Sequence, residues 1–456
     1  MPKVLERTVS AAALAVAAVA LGYALQVNLG TYHPEAMKYL TLALAFAALG
    51  VAAPRVPLVE RWGDQAPLFF LALGFALQLA LLLTTPPGIF LRIGSAQTLR
   101  PFYFCLVASG VLVGAGFSAS PWLLRVRPAA VGAVFLVLGA WLLRASPDPH
   151  IDVFVFQRDG AAELLDGRNP FSMTFPDILH DPLIYGPGLQ QNGRLMFGFP
   201  YPPVALLLAV PGHLLAGDFR YAQLLAMVGA AALLAYAVPG RLAAGAAALF
   251  LFTPRSLFVL EQGWSDPLVF LCFAAVVFCA GRSPKYLPYA LGVFLVSKQY
   301  NLLALPAVFL LLPRPLAWRE SGRFLLKTAA TGAALTLPFF LWDPKGFWHS
   351  VVALQFLQPF RGDALSYLGW HWHQTKEQLP SLVGFLAVVP ASALALWRCP
   401  RTPAGFAAAV AFIYLVFFAF NKQAFCNYYY FVVGALCAAV AASRLDSPGR
   451  SAPAAA

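Results

Sequence analysis

The sequence predicts an all-α protein that passes through a membrane many times. Three observations carry that prediction. Hydrophobic residues make up 60% of the 456 and charged residues only 11%, with a mean hydropathy of +0.72. A soluble domain sits nearer half apolar and a quarter charged. The apolar residues also fall into runs of about 20, the length a helix needs to cross a hydrocarbon core. Finally, the basic residues cluster at the ends of those runs, which is the bias of cytoplasmic loops. The net charge of +12 therefore belongs to a membrane topology and points to no nucleic-acid partner.

Four plain runs come first, at about Thr8–Val27, Ala36–Ala53, Pro67–Leu83 and Pro101–Ala119. They hold almost no polar residue apart from Gln78, so residues 1–127 read as a transmembrane scaffold of four helices. Lys3 and Arg7 ahead of the first run suit a retained signal anchor. Arg55 with Arg61, and Arg125 with Arg127, fall in alternate loops and place those loops and the N-terminus in the cytoplasm. Arg92 and Arg100 are exceptions on the other side.

A fifth run, Pro128–Leu143, leads out into a polar loop over residues 145–200. This loop holds Asp152, Asp159, Glu163, Asp166, Asp177 and Asp181, a large share of the 19 carboxylates in the chain. From Asp152 the pattern is helical. Val153, Phe156, Ala161, Leu164 and Leu165 make an apolar stripe, and Asp159 and Glu163 stand one turn apart on another face. Such a helix lies in the membrane interface, starts at or near Asp152 and stops at Gly167-Arg-Asn-Pro170. Asp166-Gly167 reads as a turn.

The later runs complete a module over 128–446. Two runs, Pro203–Leu215 and Ala222–Val238, lie between Tyr201 and Arg241. Because Arg241 belongs with the cytoplasmic basic residues, one of them, Pro203–Leu215, is read as re-entrant or interfacial. Leu242–Leu260 and Pro267–Ala280 follow, with Glu261-Gln-Gly-Trp-Ser-Asp266 between them on the outer side. Tyr286–Leu312, flanked by basic residues and broken by Ser297-Lys-Gln-Tyr-Asn301, reads as a hairpin with Lys298 at its outer tip. Phe324–Trp342, an external loop at 343–380, Leu382–Trp397, Ala404–Phe420 and a last span ending at Arg444 complete about 14 crossings. Residues 447–456 read as a disordered tail.

On this topology the polar residues converge on one face. They are the acidic loop, Glu261–Asp266, Lys298–Asn301 with Asn421–Asn427, and the loop carrying His349, Arg361, Asp363, His371 and His373. Carboxylates and isolated cations at one membrane surface suit transfer of a group from a lipid-linked phosphate. The departing phosphate needs cations beside it, and the acceptor hydroxyl needs a carboxylate to take its proton.

Each candidate also has a plainer reading. Asp152 is a general base or a helix cap, and Asp159 and Glu163 are supporting groups or a solvated helix face. Lys298, costly among apolar residues, binds phosphate or snorkels, as does Lys422. Glu261 with Gln262 serves the site or caps an interfacial turn. His371 and His373 flank Trp372 as loop residues or as metal ligands. The six cysteines lie in or beside apolar runs without metal-ligand spacing and read as buried thiols.

Asp152-Val-Phe-Val-Phe, Ala161-Ala and Leu164-Leu-Asp-Gly-Arg-Asn-Pro-Phe171 resemble the first external loop of GT-C glycosyltransferases. The nearer likeness is to bacterial polyprenyl-phosphate-mannose-dependent mannosyltransferases. It continues through Tyr201-Pro-Pro, Glu261-Gln-Gly, Ser297-Lys-Gln-Tyr and Asn421-Lys-Gln-Ala-Phe-Cys-Asn-Tyr-Tyr, from about Pro128 to Arg444. The chain departs from that pattern at Phe156 and Phe171, where tyrosine is usual, and in the four helices before Pro128.

The resemblance implies a GT-C-like fold in a bacterial plasma membrane, with its active loops facing outward. It implies inverting transfer of a mannose-like sugar from a polyprenyl-phosphate donor to a lipid- or glycan-linked acceptor. Asp152 would be the base. Lys298, Lys422 and Arg361 would meet the donor phosphate, and Asp159, Glu163, Glu261, Gln262, Tyr300 and Asn427 the sugars. No cofactor is implied, and a divalent metal is compatible with the chemistry but not indicated. Two alternatives stand beside this reading: a transporter or flippase for a lipid or polar substrate, and an enzyme resembling O-antigen polymerases or ligases.

Overall fold

A computed structural model describes residues 9–53, 62–92, 99–115, 121–186, 188–313 and 315–443. Arg55, Arg61, Arg314 and the tail expected at 447–456 lie outside the described residues. The chain is mostly helical. The N-terminal part forms α1 (Ala11–Val27), α2 (Pro34–Ala52), α3 (Gln65–Thr84), α4 (Arg100–Ala115) and α5 (Pro121–Ala145). The last of these starts before Pro128, which lies inside it. Then come α6 (Asp152–Leu165), α7 (Pro203–Ala216), α8 (Arg220–Ala237), α9 (Arg241–Leu251), α10 (Ser256–Gln262) and α11 (Asp266–Arg282). The remainder holds α12 (Leu287–Leu295), α13 (Trp318–Trp342), α14 (Tyr367–Thr375), α15 (Leu382–Arg398), α16 (Pro403–Ala419) and α17 (Cys426–Ala442).

Among the described residues, five helices are long and apolar enough to cross a membrane: α2, α3, the Arg125–Ala145 part of α5, α8 and α13. A sixth span arises if the bent pair α9–α10 counts as one, and seven shorter apolar helices accompany them. Phe69, Leu73 and Leu77 on α3, Phe104, Val107 and Val111 on α4, and Leu386 and Val389 on α15 are exposed. Apolar stripes of this kind suit lipid rather than water.

One run expected to be continuous, Leu242–Leu260, is broken. Pro254 cannot continue the helical ladder and Arg255 takes φ +69°, so α9 and α10 meet at 49°. A second difference is a small antiparallel sheet in the acidic loop, in the order Phe175–Pro176, Arg194–Leu195, Gln190–Gln191. The all-α expectation omitted it.

The four N-terminal helices belong to the body of the bundle. One apolar core runs from Leu14 to Ala442, and α16 and α17, apolar on every side, are buried almost throughout. Gly30 shows how close the join is. Its φ is +74°, and a Cβ there would stand 2.6 Å from the Cα of Cys426 at the start of α17.

Hydrogen bonds fix which ends of the helices lie together. Arg220 at the start of α8 donates to the Pro147 carbonyl just beyond α5 (3.4 Å). Tyr236 near the end of α8 donates to the Arg125 carbonyl (2.9 Å). The pair is therefore antiparallel, with the basic residues at one end and the acidic loop at the other. At the start of α7, Gln299 donates to the Pro200 carbonyl (2.8 Å). Its C-terminal turn packs on α8, where a Cβ at Gly212 would meet the Ala222 nitrogen at 2.7 Å. Both ends of α7 thus lie toward the acidic-loop end of α8.

Candidate functional site

At that end the polar residues form two tiers. The outer tier centres on Asp152. It is the first residue of α6, with Ile151 as the cap, so its carboxylate does not cap the helix from outside. Oδ1 instead accepts from the adjacent Val153 N–H (2.7 Å). Oδ2 accepts from the Tyr185 hydroxyl (2.6 Å). Tyr185 comes from the short turn Pro182–Tyr185 and packs with Val155, Phe156, Phe175 and Leu195 in a small core formed by the loop.

Burial pushes the Asp152 carboxyl above its usual range. The Tyr185 hydroxyl, the Val153 N–H and the charge of Arg361 act the other way. A helix N-terminus alone, by contrast, would hold it low. A carboxyl pushed upward, with hydrogen bonds that keep part of its anionic character, is the kind of group that accepts protons near neutral pH.

Arg361 is near enough to act on this carboxylate through its charge. Its guanidinium grips Asp363 through two bonds (2.8 and 2.6 Å) and covers the Phe425 ring. Lys422 donates to the carbonyls of Gln358 (2.5 Å) and Phe356 (3.4 Å), and burial lowers its ammonium pKa. It borders a cavity of about 270 Å³ shared with Phe360, Gln378 and Pro380.

The inner tier is built on Asp266 at the start of α11, which the sequence places in the converging stretch Glu261–Asp266 without a role of its own. Its side chain is fully buried and both oxygens are taken. Oδ2 accepts from Lys298 Nζ (2.7 Å) and Asn427 Nδ2 (2.8 Å), and Oδ1 from the Tyr300 hydroxyl (2.8 Å). Lys298 stands at the break between α12 and the 3-10 segment Gln299–Ala304, but it is only 4% exposed, not presented at an outer tip. Its ammonium lies 5.1, 5.5 and 5.6 Å from the ring centres of Tyr201, Tyr300 and Tyr428. Tyr201 links the tiers, being close enough to interact electrostatically with both Asp152 and Asp266.

Glu261 and Gln262 are buried as well, but beside other partners. The two oxygens of Glu261 accept the N–H groups of Ile89 (2.7 Å) and Phe90 (2.9 Å), just beyond α3. Gln262 donates back to Glu261 at 3.4 Å, and Arg220 holds the Glu261 carbonyl (3.0 Å) while pairing with Asp218. This is a clamp between the scaffold helices and the rest.

Asp159 and Glu163 face away from both tiers' bonding network. Asp159 pairs with its neighbour Arg158 (2.7 Å). Glu163 takes a two-point bond from Arg168 (2.8 and 2.8 Å), which lowers its carboxyl pKa and also draws in Asp166. The loop 343–380 is tied to the acidic loop through Ser172, which donates to Asp343 (2.7 Å), and Ser350, which accepts from the Gly198 N–H (2.8 Å). His373 stacks on Tyr32 at 4.1 Å. No cluster of metal-ligating residues occurs among the described residues.

Of the residues singled out by sequence, the structure therefore gathers Asp152, Arg361, Lys298, Tyr300 and Asn427 in one region with Lys422 at its edge. Asp159, Glu163, Glu261 and Gln262 are committed elsewhere. Tyr185, Tyr201, Tyr428 and Asp266 were missed as individual residues. Fold and site together define an α-helical, membrane-embedded protein with a carboxylate and cation centre at one end of its bundle. No protein-family model matches the chain, and no curated protein or solved structure matches it either.

Proposed function

We propose that this chain is an integral-membrane inverting glycosyltransferase. It moves a mannose-like sugar from a polyprenyl-phosphate donor to a lipid- or glycan-linked acceptor on the outer face of a bacterial plasma membrane, through a fold of about 14 crossings. The observation that supports this most directly is the surrounding of Asp152. A half-buried carboxylate has one oxygen fixed by Tyr185, a guanidinium nearby at Arg361, and tyrosine rings beneath it.

In this reading Asp152 accepts the proton of the acceptor hydroxyl as its oxygen attacks the anomeric carbon from the face opposite the phosphate. The C–O bond to phosphate breaks, and the polyprenyl phosphate leaves as an anion. Arg361 is the cation best placed for that anion, with Lys422 at the edge. The charge of Lys298 is already matched by Asp266, so its role is to hold the inner tier, with Tyr300 and Asn427. The sugar then meets the faces of Tyr201 and Tyr428.

Asp152→Asn tests the reading. Asn keeps the volume and an acceptor for Tyr185 or Val153 but cannot take the proton. Transfer from a polyprenyl-phosphate mannose should fall by about 10²–10⁴ in a protein that folds normally. Near-normal transfer would place the base elsewhere. The buried Asp266–Lys298 pair favours the transporter as a second reading, because intramembrane charges also mark transport paths. Vesicle uptake of a polar substrate that survives Asp152→Asn but fails in Lys298→Met would select it.

A further inference from the structure

The basic end of the bundle holds a feature that the proposed chemistry does not use. Between α4, α5, α8 and α9 lies a cavity of about 290 Å³, nearly twice the ~150 Å³ that takes up a benzene molecule. Its walls are apolar and small, including Val131, Gly132, Ala232 and Ala247. Ala129 and Ala133, one turn apart on α5, are exposed, so the cavity opens on the flank of the bundle.

Its headgroup-level wall carries Arg127. This side chain is only 7% exposed, yet among the described residues its one hydrogen bond is a long one to the Val113 carbonyl (3.4 Å). The charge of Arg241, at the start of α9, acts on it from nearby. No ion pair among the described residues includes either arginine. Two guanidinium charges that act on each other, one of them buried, are unfavourable without an anion to balance them. Tyr236 also lines the cavity and anchors its rim through the Arg125 carbonyl, a usual place for an aromatic at the membrane interface.

We propose that this cavity binds an anionic membrane lipid, its phosphate between Arg127 and Arg241 and an acyl chain in the apolar space. The occupant is a lipid rather than a free anion because Arg127 opens onto an apolar chamber with a side entrance, and Arg241 stands one turn before Ala244 of its wall. A small anion would fill only the rim. The lipid would tie the scaffold helices to the α8–α9 corner and would act apart from any transfer chemistry at the opposite end.

The test uses the purified full chain in mild detergent, with native mass spectrometry after addition of phosphatidylglycerol, phosphatidylcholine or inorganic phosphate. The expected result is one retained phosphatidylglycerol, at least about tenfold favoured over phosphatidylcholine. Arg127→Gln should remove that preference. Ala232→Leu, which fills the chamber and leaves the charges, should weaken retention of the lipid. Equal retention of the two lipids, or unchanged preference in Arg127→Gln, would overturn the proposal. So would full displacement of the lipid by millimolar inorganic phosphate, which would show an anion site without a tail. If Arg127→Gln does not fold, Arg241→Gln and Ala232→Leu decide, and unchanged phosphatidylglycerol binding in both refutes it.

Discussion

The pair Asp266–Lys298 can be tested without any substrate. Both side chains are buried and stand 2.7 Å apart. Removing one partner of such a pair typically costs about 3–5 kcal/mol, because the other charge remains buried. The two removals are not equivalent here. After Lys298→Met, Asp266 still accepts from Tyr300 and Asn427, and hydrogen bonds to a charged group contribute about 1.5–3 kcal/mol each. After Asp266→Asn, the Lys298 ammonium keeps no anion, only three tyrosine faces whose centres lie 5.1, 5.5 and 5.6 Å away, close to the ~6 Å limit of such contacts. Asp266→Asn should therefore be the more damaging change, at the upper end of the range, and Lys298→Met should fall at its lower end. The double variant removes both charges and should be about 3 kcal/mol more stable than the sum of the single losses. Thermal unfolding of all four proteins in one detergent, followed by tryptophan fluorescence, supplies the cycle. Strict additivity to within about 0.5 kcal/mol would mean that the two charges do not sense each other, and the inner tier as described would be wrong.

Three further outcomes follow from the geometry. Tyr185→Phe removes a bond that favours the Asp152 anion, so the carboxyl should rise further above its usual range. The acid limb of the transfer rate, or the loss of the protonated-acid infrared band absent from Asp152→Asn, should move to higher pH, and an unmoved limb and band would dismiss the contact. Glu261→Gln keeps the shape but loses one of the two charge-assisted bonds from Ile89 and Phe90 and weakens the other; unfolding should become easier by about 2 kcal/mol, with transfer per folded molecule unchanged. Ser172→Cys, on an exposed residue of the acidic loop, should react with an impermeant thiol reagent in intact cells; the native cysteines are buried or half-buried. Labelling only after lysis would invert the proposed orientation.

The helices were legible in the sequence because their signal is local. Asp152 starts α6 as expected, and Pro34, Pro121 and Pro203 open helices where a missing N–H costs nothing. Pro254 could also have been read as a break in the run from Leu242 to Leu260, since its ring forbids the preceding turn. Pairing was less legible. Asp266 stands 32 positions from Lys298 and 161 from Asn427, and nothing local marks it apart from a carboxylate opening an apolar run. Tyr185 reaches Asp152 only because the loop folds its own small core around Phe156, Phe175 and Leu195. Glu261 looked like a site residue because its polar stretch falls on the same face as the acidic loop. Its actual partners are backbone N–H groups beyond α3, which no pattern in the side chains reveals.

The difference between the two tiers bears on which carboxylate does chemistry. A carboxylate has about four lone-pair positions. On Asp266, three donors on two oxygens, one of them charged, leave a fully buried group little capacity or room for another partner. Asp152 has two donors, one of them the N–H of the next residue at the start of its own helix, and its side chain is only half-buried. It is the carboxylate with acceptor capacity left over. The same comparison separates the cations: Lys298 is spent on an internal partner, whereas the grip of Arg361 on Asp363 is on the exposed side, where an ion pair contributes little and exchanges easily. Buried groups that satisfy one another hold the bundle's end in shape, and the incompletely satisfied groups above them are the ones free to meet a substrate.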